Sequence, residues 1–236
     1  MSVSQTKKCI YLVRLRSPYI NENFFCFNST AGTVDFTAQE VLEHKRVREI
    51  SIASGGDWGG RHVDQRFMSL MKRALGQDFI DDFAKQYPVV WYDLQLDFEK
   101  AKASADPDKN SISLALPIAM ERHMRKVKKE ELSEYINKNT NNHGLSENDG
   151  SLLIAHNSVD DMFTPSIDKI VDETKRLVKT KELKGLNFIY LVGGFASSKM
   201  LYSKMNQKQV LGKARLAVPP EARTAVVKVK ARYNHI

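Results

Sequence analysis

The chain has 236 residues, of which 42% are hydrophobic and 27% charged. That balance supports one or two packed domains and excludes a disordered chain, a collagen and a coiled-coil rod. Lys and Arg number 36 against 28 Asp and Glu, a net +8. The excess is concentrated: residues 165–236 hold 15 basic and 5 acidic residues, leaving 21 and 23 for the rest.

In chain order, Phe24–Phe27 reads as a strand, and Asn28-Ser29-Thr30-Ala31-Gly32 as a turn. Thr33–Glu43 and Val47–Ala53 follow as second and third strands of a β-meander. Ser54–Gly60 has four glycines in seven residues and reads as the loop that ends the meander. Val63, Phe67, Leu70, Met71 and Leu75 recur at helical spacing. Gln77–Tyr87 is expected as a further helix closed by Pro88, and Trp91–Ala105 as another, stopped at Asp106-Pro107. Ser111–Leu116 alternates as a strand. Met120–Asn137 has the charge density of an exposed helix, and Lys138–Gly150 reads as a polar loop. Thr164-Pro165 is a helix start, with Thr as N-cap and Pro at the first position. Asn187–Val192 is a strongly apolar strand, suited to a sheet covered on both faces. Gly193-Gly194 follows it, then a helix over Ala196–Gln207, then a short strand at Ala214–Val218.

Cys9 and Cys26 are too few for a disulfide framework and read as reduced thiols. No apolar run approaches the roughly 18–20 residues of a membrane span. Cys9–Val13 is too short for a signal-peptide core, so the reading is a cytoplasmic protein with no membrane association. No histidine or cysteine spacing suits zinc, and no nucleophile elbow is present, so neither a metal ligand set nor a catalytic residue is assigned.

Two strand–glycine–helix junctions can receive a phosphate or ribose, Gly59-Gly60 and Gly193-Gly194. A helix start offers unpaired N–H groups, and glycine admits a ligand close to the backbone. The turn Ala31-Gly32-Thr33 is a third candidate, with a hydroxyl on Thr33. Asp35 and Asp64 are the nearest carboxylates and are candidates to orient a magnesium-bound water. Glu99 and Lys102 lie three apart on one helix face, either as a clamp for ligand hydroxyls or as an exposed ion pair.

Taken in order, these motifs resemble the actin-like ATPase fold (ribonuclease H-like) of the 70-kDa heat-shock proteins, most of all the divergent 12A/12B group. Asn28-Ser29-Thr30-Ala31-Gly32-Thr33-Val34-Asp35 is similar to the second phosphate motif, Asp-x-Gly-Gly-Gly-Thr-Val-Asp. Ser54-Gly55-Gly56-Asp57-Trp58-Gly59-Gly60 is similar to a Ser-Gly-Gly-x-Trp-Gly-Gly signature. Phe98-Glu99-x-x-Lys102 resembles the adenosine-side helix, and Leu191-Val192-Gly193-Gly194-Phe195-Ala196 the adenosine motif. The resemblance implies an α/β lobe, a β-meander plus helices with a mainly helical insertion. Its core would be 23–75 and 160–236, the insertion 76–159, with 1–22 unassigned. It also implies ATP or ADP with Mg2+ as cofactor. Asn28, Ala31, Gly32 and Thr33 would lie at the phosphates, beside Gly59 and Gly60. Glu99 and Lys102 would hold the ribose and adenine side, and Gly193, Gly194, Phe195 and Ser197 would line the base.

The departures carry their own expectation. The family's first phosphate motif, Asp-x-Gly-Thr-Thr, has no counterpart here. Asn28 replaces an Asp that helps place the magnesium waters, and Thr30 and Ala31 replace two glycines. The chain is therefore expected to act as the second lobe alone: a nucleotide binder with little or no ATPase activity, since phosphoryl transfer needs charge stabilisation from both lobes. The alternative is a non-catalytic module that binds protein partners through the basic C-terminal third. The lack of aromatic residues interleaved with those basic ones argues against nucleic acid.

Overall fold

The computed structural model of this chain describes residues 23–29, 32–41, 47–50, 54–108, 111–139, 144–183 and 185–219. In chain order the elements begin with β1 (Asn23–Ser29), β2 (Val34–Val41), β3 (Val47–Glu49) and β4 (Ser54–Gly56). Three helices follow, α1 (Arg61–Leu75), α2 (Gln77–Gln86) and α3 (Pro88–Ser104). Next come β5 (Ser111–Ala115), α4 (Ile118–Val127), α5 (Leu132–Asn139), β6 (Leu145–Asn148), β7 (Ser151–Ala155) and the long α6 (His156–Val178). The run closes with β8 (Phe188–Val192), α7 (Lys199–Met205), α8 (Lys208–Leu211) and β9 (Arg215–Ala217); short 3-10 turns stand at Lys181–Leu183 and Phe195–Ser197.

The described residues fall into two compact units, one holding those up to Arg61 and from Ser166 onward, the other His62–Pro165. The first unit carries a mixed sheet in the order β3-β2-β1-β8-β9, with β4 also paired to β2. Its interior includes Phe27 and Phe36, opposite each other on β1 and β2 with ring centroids 5.1 Å apart, edge to face. The register decides where the connections emerge. β1 and β8 are parallel, with Asn28 beside Val192, so both strands end on the same edge of the sheet. β2 starts at that edge, since Ser29 pairs with Val34, and β4 ends there, since Val34 pairs with Gly56. The β1–β2 turn, the β4–α1 turn and the β8 exit therefore share the carboxyl end of the parallel strands, the usual ligand-binding edge of an open α/β sheet.

In the second unit, Phe67 of α1 and Phe98 of α3 are both buried and stack with ring centroids 3.9 Å apart. His123 of α4 is fully buried beside Phe79 and Phe83, at centroid distances of 5.1 and 5.7 Å. An antiparallel sheet in the order β5-β7-β6 completes this unit. Its inward positions pair Ile112 with Ile154 and Leu114 with Leu152, and all four are buried.

Several expectations change on physical grounds. Ser54–Gly56 is a strand rather than loop; a Cβ on Gly55 would stand 2.1 Å from the Val34 carbonyl oxygen, so glycine is what permits this close pairing. Pro88 opens α3 as its first residue instead of closing the helix before it. The expected helix over 120–137 is two helices, interrupted where Lys128 caps α4 and Lys129 takes a φ of 60°. The polar loop to Gly150 contains β6, joined to β7 through Asp149 and Gly150 at φ 51° and 75°, the backbone of a tight hairpin turn. Thr164-Pro165 is not a helix start but the interior of α6. The buried residues Val159, Met162, Phe163, Ile167 and Ile170 keep one helical period straight through it. The expected helix over 196–207 begins instead at Lys199, where the Ser198 hydroxyl caps the Leu201 N–H. Cys26 is disulfide-bonded, which corrects its reading as a reduced thiol. Cys9, Thr30 and Ala31 lie outside the described residues.

Candidate functional site

The glycines at the sheet edge are required first by packing. Gly193 follows β8 with a φ of 99°, and a Cβ there would stand 1.9 Å from the Ser29 carbonyl oxygen. Only a residue without a side chain lets the β8 exit lie against the last residue of β1. The Gly59 N–H donates to the Gly32 carbonyl oxygen at 2.9 Å, tying the β4–α1 turn to the β1–β2 turn. A Cβ on Gly60 would meet the Phe195 ring at 3.4 Å. The structure thus brings Gly32, Thr33, Gly59, Gly60, Gly193 and Phe195 together at one edge of the first unit.

These residues differ in what they leave open. Gly59, Gly60, Gly193 and Phe195 are buried and hold the turns to each other. Gly194 is exposed, with a φ of −63°, and a Cβ placed on it would have nothing within 4 Å among the described residues. Thr33 is exposed, and Gly32 and Ser197 are half-buried, with the Ser197 hydroxyl donating to the Gly194 carbonyl oxygen at 2.8 Å. Asn28 and Ser29 close β1, and both are buried, with Asn28 Oδ1 and Ser29 Oγ lacking hydrogen-bond partners among the described residues. Such orphaned polar atoms carry a desolvation cost of about 1–3 kcal/mol each.

Asn28 stands directly opposite Asp35 across the β1–β2 pair, so their side chains share a face of the sheet. Burial pushes the Asp35 carboxyl above the usual range, toward its neutral form. Arg61, the first residue of α1, belongs to none of the motifs that the sequence singles out. Its guanidinium carbon lies 3.6 Å from where a Cβ on Gly32 would stand, so the cation sits beside Gly32. Its position immediately after Gly59-Gly60 is the one sequence signal that could find it. A neutral Asn28, a single Asp35 carboxyl and an exposed arginine make a poor donor set for a divalent cation. Among the described residues no group of three or more His, Cys, Asp or Glu is placed to hold a metal ion. The described residues at this edge do not fit magnesium, because an amide and an arginine stand beside one carboxyl.

Asp64, Glu99 and Lys102 belong to the second unit. Lys102 is 9% exposed, and its ammonium donates to Asp64 Oδ1 at 2.5 Å. This half-sheltered bridge joins α1 to α3. Burial pushes the Asp64 carboxyl up, while the Lys102 ammonium pulls it down and the Glu99 charge adds to the rise. Glu99 itself is exposed. In the first unit the basic residues Lys199, Lys204, Lys208 and Lys213 are all exposed. No helix among the described residues is long and apolar enough to cross a membrane.

The mixed α/β sheet and these turns agree with the class that the sequence motifs resemble, and comparison with known proteins points to the same group. No protein-family model matches the chain. It is 28% identical over 209 residues to heat shock 70 kDa protein 12A of Mus musculus, covering 88% of this chain and 31% of that protein. Heat shock 70 kDa protein 12B of Homo sapiens is 29% identical over 199 residues, covering 84% of this chain and 29% of that protein. The chain is thus a partial match to the divergent 70-kDa heat-shock-like group, spanning about 30% of the length of those relatives.

Proposed function

We propose that the chain is a nucleotide-binding lobe of a divergent 70-kDa heat-shock-like protein, taking ATP or ADP at the shared edge of its mixed sheet. The observation that carries this reading is the interlocking of three separate turns around an exposed Gly194. Gly32, Thr33 and Gly194 supply the accessible backbone and hydroxyl groups, and the buried glycines set the spacing between them. Glu99 and Lys102 are proposed for the ribose and adenine side by resemblance alone. Turnover by these residues is expected to be slight, because Asn28 offers no carboxylate where the similar phosphate motif has one.

Gly194 is a clean probe of this reading. Its φ of −63° suits any residue, and a Cβ there would meet nothing within 4 Å among the described residues, so the backbone does not need a glycine at this position. A bulky Gly194→Leu side chain is expected to weaken ADP binding at least about tenfold, equivalent to about 1.4 kcal/mol, with the melting temperature unchanged. Isothermal calorimetry of both proteins with ADP tests it; equal affinities would remove the nucleotide from this edge.

The exposed Lys199, Lys204, Lys208 and Lys213 favour a second reading, a protein-binding module for an acidic partner. Replacing these four by Gln would abolish that binding and leave ADP affinity intact, which separates the two readings.

A further inference from the structure

We propose that this edge binds the nucleotide's phosphates without a divalent cation, with the Arg61 guanidinium in the place where a metal-using site would put its ion. The inference rests on the nucleotide reading above and deepens it. Three features support it. Arg61 lies over Gly32, with its guanidinium carbon 3.6 Å from the position of a Cβ there, and it makes no ion pair among the described residues. A guanidinium offers a planar fork of donors that matches two phosphate oxygens at once. Asn28, buried and with Oδ1 unpaired, presents an amide where a carboxylate would be needed to hold metal-bound waters. Asp35, opposite it across the β1–β2 pair, supplies one carboxyl where the similar motif has two.

The arithmetic of charge follows. A di- or triphosphate brought to two carboxylates is repelled unless a divalent cation intervenes. Brought to an amide, one carboxylate and an arginine, it meets protein charges that offset each other, and the guanidinium attracts it directly. A cation would then compete with Arg61 for the same oxygens rather than assist.

The test uses the full chain and ADP, titrated by calorimetry in buffer with magnesium chloride and again with EDTA. The expected result is an affinity in EDTA equal to or higher than that in magnesium. Arg61→Gln, an exposed substitution that leaves the melt unchanged, is expected to weaken binding about tenfold or more in both media, the scale of a lost charged hydrogen-bond pair. The double variant Asn28→Asp with Arg61→Gln is expected to bind better with magnesium than without. Binding seen only with magnesium, or an Arg61→Gln protein that binds ADP as the parent does, would overturn this inference while leaving the nucleotide reading in place. No binding by the parent protein in either medium would overturn both.

Discussion

Gly193→Ala is expected to unfold the first unit or lower its stability by about 4 kcal/mol or more, the range kept for backbone clashes and strain. The substitution adds a carbon 1.9 Å from the Ser29 carbonyl oxygen, and neither atom belongs to a flexible side chain that can turn aside. The φ of 99° adds strain of about 1–3 kcal/mol for a residue with a side chain. Relief requires the parallel β1–β8 pair to move apart at Asn28 and Val192, where the central strands of the sheet meet. Urea denaturation followed by circular dichroism measures the loss. A Gly193→Ala protein as stable as the parent would show that the β8 exit does not lie against β1. The neighbouring Gly194→Leu serves as the control, since the same measurement should find it near neutral.

Phe98→Ala is expected to cost about 3–5 kcal/mol, the usual penalty for truncating a buried aromatic. Its ring stacks on Phe67 at 3.9 Å, and both are 1% exposed or less. The loss combines burial with the cavity left between α1 and α3, since neither helix can collapse onto it without moving its other buried residues. The same packing sets the distance over which Lys102 reaches Asp64, one turn further along α3. Phe98→Ala should therefore also release the Lys102 ammonium, and its exchange-protected signal in NMR spectra would disappear. Phe98→Leu, which keeps most of the volume, should lose roughly half as much. Thermal denaturation of the two variants decides this; equal, small shifts would mean the rings are not packed as described.

Much of the architecture is legible in local patterns. The apolar run at Asn187–Val192 forms β8, and the helical spacing from Val63 to Leu75 forms α1. The Gly-Gly junctions do mark turns that meet, although the sequence does not show which glycines face inward. That distinction comes from neighbours distant in the chain: Ser29 against Gly193, and Phe195 against Gly60. Local signals also mislead. Pro165 resembles a helix start because proline suits that place, yet the apolar period runs on through it and outweighs the lost hydrogen bond. The Asp149-Gly150 pair is a hairpin signal inside a stretch whose polarity suggests only a loop. Glycines usually weaken strands, which hides β4, although here their lack of side chains is what admits the pairing. Helical spacing pairs Lys102 with the carboxylate three residues away, while its partner Asp64 is 38 residues off, a distance no helical pattern reports.

The most direct measurement of the central claim is the amide spectrum of isotopically labelled protein as ADP is added. The account predicts that the N–H signals of Gly32, Thr33, Gly194 and Phe195 shift together and saturate with one affinity, because the turns that carry them form one surface. Saturable shifts confined to other parts of the chain, with these four unmoved, would contradict it.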